Sequence, residues 1–126
     1  MKEYTGGCLC GQIKYRVSGV PVRPHLCSCR QCQKSTGAIT SAWVGFPKAE
    51  VVWGGSKVGP TYYRSSEKCL RGFCPKCGAL VCTMNDGYEN ITMTIATLDD
   101  PSAIVPVQGH SYSESAPSWW KVSVSS

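Results

Sequence analysis

The first clear pattern in the chain is an alternation of apolar and polar positions over residues 12–17. Ile13, Tyr15 and Val17 would share one face of an extended chain, because successive side chains of a strand point to opposite sides. The polar residues between them would then face water. The segment is therefore predicted to form a half-buried β-strand.

A β-hairpin is predicted from two strand-like segments, residues 79–84 and 90–98. Asp86-Gly87 between them is typical of a tight hairpin turn, because glycine readily adopts a positive φ. One face of the second strand would be apolar and consist of Ile91, Met93 and Ile95. The opposite face would carry Thr92 and Thr94.

Further strands are expected at residues 41–46, 49–54 and 61–65, which are rich in aromatic and β-branched residues. Helix is expected only in short pieces: one at residues 30–36 ending at Gly37, and one turn opened by Asp100-Pro101. The sequence thus predicts an all-β fold of many short strands with little helix. At 126 residues the chain is expected to form a single domain, residues 1–126.

The charge and the apolar content of the chain restrict its expected location and its expected partners. The net charge is +5, but the 13 Lys and Arg residues are scattered, whereas nucleic-acid binders usually concentrate their charge. No apolar run approaches the length of a membrane span, and the first residues lack the apolar core of a signal peptide. We therefore expect a cytoplasmic protein without a membrane partner, and the scattered charge argues against a nucleic-acid partner.

In such a reducing setting, the nine cysteines are predicted to be metal ligands or reactive thiols rather than disulfides. The Cys-Pro-Lys-Cys segment has the spacing of a zinc knuckle, and the earlier Cys-Leu-Cys would complete a tetrahedral site if it is extended. The predicted structural zinc ligands are Cys8, Cys10, Cys74 and Cys77. Cys-Pro-Lys-Cys could instead be a redox pair, although no βαβ pattern surrounds it.

A second cluster is predicted from the segment Cys-Ser-Cys-Arg-Gln-Cys, which contributes Cys27, Cys29 and Cys32. Three thiolates leave the fourth zinc position open, which is typical of a catalytic metal. A zinc ion that already has three thiolate ligands is a weak Lewis acid toward water, and it favours a soft sulfur ligand. Cys69 could alternatively close this site as a fourth ligand, and Cys82 is most simply a small buried residue.

The segments GGCLCGQIKY, CSCRQCQKSTGA, RGFCPKCGALV and TLDDPSAIVP resemble, in this order, the glutathione-dependent formaldehyde-activating enzyme family, which includes the centromere protein V domain. The resemblance implies a β-tent of small antiparallel sheets pinned by zinc. It also implies two zinc ions per chain: a structural one at the four-cysteine set, and a labile, catalytic one at Cys27, Cys29 and Cys32. The activity that it implies is condensation of formaldehyde with glutathione to S-hydroxymethylglutathione, classed as a carbon–sulfur lyase.

Other polar residues are candidates for the substrate site. Arg30, Lys34, Ser35 and Thr36 adjoin the open cluster and could hold a substrate carboxylate, or could simply cap and solvate a turn. His110 resembles a position near the family's active-site wall. His25 could support the open zinc or move a proton, or could be a loop histidine without a role.

The first functional hypothesis is a zinc-dependent carbon–sulfur lyase acting on the aldehyde adduct of a small anionic thiol such as glutathione. The alternative is a non-catalytic zinc module that binds a protein or nucleic-acid partner. A third reading is a thiol-based metal or redox sensor that uses Cys69 and the second cluster.

Overall fold

Ten short strands and one helix make up the regular structure of residues 2–125, which a computed structural model describes. The strands are β1 (Glu3–Gly7), β2 (Lys14–Ser18), β3 (Val22–Cys27), β4 (Ser41–Pro47), β5 (Val51–Gly54), β6 (Thr61–Arg64), β7 (Cys69–Phe73), β8 (Leu80–Asn85), β9 (Asn90–Thr94) and β10 (His110–Ser111). The helix is α1 (Arg30–Thr36). Single 3₁₀ turns occur at Lys48–Glu50, Ile95–Thr97, Pro101–Ala103 and Ser113–Ser115.

The strands form two sheets. The small sheet has the order β1-β2-β5, and the large sheet has the order β10-β3-β4-β9-β8-β7-β6. All pairings are antiparallel except the short parallel contact between β10 and β3. The predicted all-β class with small sheets and little helix is confirmed. Within the described residues, no helix is both long and apolar enough to span a membrane.

Local sequence signals account for several elements. Ile13, Tyr15 and Val17 are all buried, as the alternation predicts. Helix α1 ends where Gly37 adopts a φ of 74° and its N–H binds the carbonyl of Gln33. The Asp100 carboxylate accepts a hydrogen bond from the N–H of Ser102 and so caps the predicted turn.

The second strand of the predicted hairpin is shorter than expected. Strand β9 ends at Thr94, and the chain then makes a 3₁₀ turn at Ile95–Thr97. The Thr97 hydroxyl donates to the carbonyl of Thr94 at 2.9 Å, which stabilises the turn. Thr94 itself is buried although the pattern placed it on a polar face.

A hydrogen-bond chain across the core links the two sheets. The hydroxyl of Tyr15, from the small sheet, lies 2.8 Å from Oγ1 of Thr97, which lies 2.8 Å from Oγ1 of Thr94. Burial raises the pKa of Tyr15, so the phenol stays neutral and can donate. Gly6 is required beside it, because a Cβ atom there would collide with the Tyr15 ring and the carbonyl of Thr97.

The apolar side chains between the sheets form the main core. They include the fully buried Ile13, Val17, Val44, Phe46, Val81, Cys82 and Met93. The opposite face of the large sheet is more polar, since the opposed residues Arg71, Thr83 and Thr92 share it. This polar face carries the cleft described below.

We expect Thr94→Val to lower the free energy of unfolding by about 1–3 kcal/mol, because it removes the only donor that the Thr94 side chain offers to the carbonyls of Leu80 and Val81. Thr92→Val is the matched control on the same strand, where the side chain is partly exposed. Urea unfolding of both variants would measure the difference. Equal stability losses would contradict the role given to the Thr94 hydroxyl.

Candidate metal centres

The first thiol group, here called the four-cysteine cluster, joins two distant parts of the chain. Its sulfur atoms all lie within 4.8 Å of one another and belong to Cys8, Cys10, Cys74 and Cys77. The Sγ atom of Cys10 is 3.6 Å from that of Cys8 and 3.7 Å from that of Cys74. The structure therefore brings together the four residues that the spacing selected.

Two tight turns deliver these sulfur atoms. After β7, the N–H of Gly78 binds the carbonyl of Cys74 at 2.8 Å, with Gly78 at a φ of 80°. After β1, the N–H of Gly11 binds the carbonyl of Cys8 at 3.2 Å. Cys8 and Cys10 therefore meet through a turn and not along an extended strand, which corrects the local geometry expected from the sequence.

The surroundings of the four-cysteine cluster suit a bound cation. The N–H of Ile13 donates to Sγ of Cys8 at 3.2 Å, and the N–H groups of Ala79 and Cys10 lower the pKa of Cys77 to about 6. The N–H of Gln12 also favours a thiolate at Cys10, but burial and the neighbouring thiols raise its pKa to about 11. Crowded thiols cannot all ionise alone, so a divalent cation such as zinc fits this donor set.

The second thiol group, the three-cysteine cluster, surrounds the start of α1. Cys27 ends β3, Cys29 is the N-cap of the helix and Cys32 lies in its first turn. Their sulfur atoms lie within 4.8 Å of one another, and the N–H of Cys32 donates to Sγ of Cys29 at 3.3 Å. The Cys32 thiol donates to Cys27, which lowers the pKa of Cys27 and raises that of Cys32.

A cleft of about 320 Å³ opens beside the three-cysteine cluster on the polar face of the large sheet. Its walls carry Arg23, His25, Arg71 and Tyr112, and none of its lining residues is acidic. Burial lowers the pKa of His25, so its imidazole is neutral at pH 7. The positive charge of the cleft at that pH therefore comes from two arginines.

Arg71 is a cleft residue that the sequence analysis missed. Only 7% of it is exposed, and its Nη2 lies 3.8 Å from Sγ of Cys32. Nη1 donates to Oγ of Ser35 and Nε donates to Oγ of Ser65, both at 3.1 Å. No spacing rule could have found this contact, because it depends on the pairing of β7 with β8 and on the position of α1.

One aromatic side chain, that of Trp43, and one further thiol, that of Cys69, also line the cleft. Trp43 is buried against Cys27 and Cys32, and its indole N–H donates to Oγ of Ser41 at 2.7 Å. Cys69 is partly exposed and lines the cleft, but it belongs to neither thiol group. Cys82 is buried in the main core, as expected.

The predicted substrate residues on α1 lie outside the lining of this cleft. Lys34 and Arg30 are exposed, and the Arg30 guanidinium donates to Oε1 of Gln33. Thr36 donates to the carbonyl of Cys32 at 2.7 Å. Ser35 reaches the cleft only indirectly, through its hydrogen bond with Arg71.

His110 lies behind the three-cysteine cluster, and it also is not part of the cleft lining. Its Nε2 atom is 2.8 Å from Oγ of Ser28, which is completely buried between the two cysteines that flank it. Ser28 also lies 2.9 Å from Oγ1 of Thr40. His110 thus contacts the loop of the three-cysteine cluster through Ser28 and lies outside the cleft lining.

Comparisons with known proteins agree with this architecture. A family model described as "Glutathione-dependent formaldehyde-activating enzyme" matches residues 3–115. The crystal structure of a Rhodobacter sphaeroides protein, a Northeast Structural Genomics target, superposes with a TM-score of 0.65 and 18% identity, covering 85% of this chain and 99% of that one. At this identity the likeness shows the fold alone. None of the curated proteins matches the sequence significantly.

The two thiol groups should respond differently to substitution. We expect Cys74→Ser to give insoluble or unfolded protein, because a structural zinc contributes directly to folding free energy. Cys29→Ser should leave the fold intact and lower the zinc content from two ions toward one. Zinc counting by mass spectrometry together with thermal melting would test both.

Cys69→Ser is the matched control, since Cys69 lies outside both thiol groups, and it should keep both metals. A Cys74→Ser protein with native melting and unchanged zinc would contradict the four-thiolate assignment. A wild-type protein with one zinc under metal-replete, reducing conditions would contradict the second site.

Proposed function

Because the chain belongs to the glutathione-dependent formaldehyde-activating enzyme family, we propose that it is a zinc-dependent carbon–sulfur lyase. Its substrate would be the adduct of a small aldehyde with an anionic thiol of the glutathione type. The observation that carries the proposal is the three-cysteine cluster at the wall of a cleft without acidic residues. A cytoplasmic location, where reduced thiols are abundant, is part of the proposal.

The two thiol groups suit different tasks. The four-cysteine cluster offers a full tetrahedral ligand set and would hold a structural zinc. The three-cysteine cluster is one ligand short and adjoins the cleft. It would hold the labile, catalytic zinc, with its remaining position available to the substrate.

When bound there, zinc would supply a Lewis acid that holds the substrate sulfur as thiolate. The chain's own residues set the charge around that position. Three ionised cysteines exceed the charge of one zinc by one unit, and the buried guanidinium of Arg71 lies beside Cys32 to offset the excess. Arginine suits this position, because it stays charged even when buried.

The walls of the cleft contribute by excluding water and by orienting the thiol. Trp43 closes its floor beside Cys27 and Cys32, so the reacting sulfur would sit against an apolar surface. Excluding water would reduce its competition with the sulfur ligand for the open metal position. It would also strengthen the electrostatic contacts nearby. The arginines at the walls favour a thiol that carries carboxylates.

We expect glutathione to bind at millimolar or tighter affinity and S-methylglutathione to bind much more weakly, because only the free thiol can become a thiolate. The affinity should rise with pH and level off once the free thiol is itself deprotonated. This should happen at about pH 8.5–9, near the ordinary pKa of a thiol. Calorimetry of both compounds across pH, on protein with two zinc ions, would measure this. Equal affinities would rule out coordination of the sulfur and favour the non-catalytic zinc module.

We expect Arg71→Met to weaken binding of the second zinc by at least about tenfold, because it leaves a buried excess negative charge unpaired. Competition with a chelator would measure the affinity, and the first zinc should be unaffected. Arg64→Met is the matched control, since Arg64 is exposed and pairs with Asp86 at 3.1 Å. Unchanged affinity in Arg71→Met would contradict the charge-balancing role.

A further inference from the structure

Two residues with strained backbones meet at the same cleft. Arg23 has a φ of 45° and Tyr112 has a φ of 56°, and among residues 2–125 no other residue except glycine has a positive φ. Both line the cleft beside the three-cysteine cluster. Such conformations are unfavourable for residues with a Cβ atom, and they persist where the surrounding structure imposes them.

The strain at Arg23 arises from an irregularity in β3. The register between β3 and β4 shifts between Val22 and His25, which places Arg23 in a bulge. Nδ1 of His25 donates to the carbonyl of Arg23 at 2.7 Å and holds the bulge in place. Bulges commonly redirect a side chain, and here the redirected group is a guanidinium.

The direction of the Arg23 side chain follows from one hydrogen bond. Its Nη2 donates to Oγ of Ser111 at 3.0 Å, and Ser111 is paired in register with Cys27. The guanidinium therefore reaches forward along β3 to the level of Cys27. Arg71 comes to the three-cysteine cluster from β7, so the two cations line the same cleft from different strands.

Arg23 differs from two other exposed arginines in having no acidic partner among residues 2–125, and from the exposed Arg30 in lining the cleft. Arg16 lies 3.6 Å from the carboxylate of Glu3, and Arg64 lies 3.1 Å from that of Asp86. Arg23 is exposed and, within the described part of the chain, bonds only to the neutral hydroxyl of Ser111. Most N–H donors of its guanidinium are left for a planar anion.

We propose that Arg23 is the carboxylate-binding residue of the cleft and that it selects thiols carrying a carboxylate over neutral thiols. The inference rests on the proposed function, because it concerns the ligand whose sulfur would occupy the open metal position. The sulfur would be held at the three-cysteine cluster and the carboxylate at Arg23, with the exposed ring of Tyr112 as the adjoining wall. Two fixed points would orient the ligand in the cleft.

The experiment compares glutathione with glutathione diethyl ester, which keeps the thiol and lacks both carboxylates. On zinc-loaded wild type, calorimetry should show tighter binding of glutathione than of the ester. Arg23→Gln should weaken glutathione binding by roughly five- to tenfold. This is the low end of the loss expected for a charged hydrogen bond, because the site is exposed. Binding of the ester should change by less than about twofold, because the ester has no carboxylate for Arg23 to contact.

Two further variants separate recognition from structure. Arg23→Gly removes the guanidinium and suits the positive φ, so it should fold with an undiminished Tm and still lose the preference for glutathione. Arg64→Gln removes an exposed arginine outside the cleft lining and should leave both affinities unchanged.

The outcomes are distinct. Equal weakening of glutathione and of its ester by Arg23→Gln would mean a structural role and would overturn the inference. Unchanged binding of both, or equal affinity of the wild type for both compounds, would overturn it as well while leaving the proposed function standing. Wild-type protein that binds neither thiol would overturn the proposed function, and the inference with it.

Discussion

The crowding of thiols within 4.8 Å of one another is the constraint on which the rest of this structure depends. Ionised thiols repel one another, so the members of such a cluster can all be thiolates only when they surround a cation. In the four-cysteine cluster the contact between Cys10 and Cys74 joins positions 64 residues apart. The small sheet is thereby held against the end of β7, and the core between the sheets lies behind that junction.

The two thiol groups consist of the same residue type but have different surroundings. Four sulfur atoms from two turns complete the first cluster, with backbone N–H groups as their additional partners. The second cluster has three sulfur atoms, one buried guanidinium and an open cleft. The proposed division into a structural and a catalytic site therefore rests on the number of sulfur atoms and the neighbouring charge, rather than on the chemistry of cysteine itself.

The sequence predicted what depends on short-range spacing. The alternation around Tyr15, the helix that ends at Gly37 and the three-cysteine cluster all follow from residues within a few positions of one another. The four-cysteine cluster was predicted by combining two such short spacings, because each pair supplies only half of a tetrahedral site. Arg71 and Arg23 escaped notice because their roles depend on strand register and on a bulge. Strand β9 was predicted too long for a related reason, since the Thr97 hydroxyl bonds to the carbonyl of Thr94 where the strand ends and no periodicity records that contact.

The pairing of β10 with β3 has a consequence for the order in which the molecule is completed during synthesis. The contact between Ser28 and His110 spans 82 residues, so the loop that carries the three-cysteine cluster gains this support only when His110 has left the ribosome. The four-cysteine cluster needs nothing beyond Cys77. Long-range contacts close late in folding, so the nascent chain would complete the four-cysteine cluster before the three-cysteine cluster has its full support.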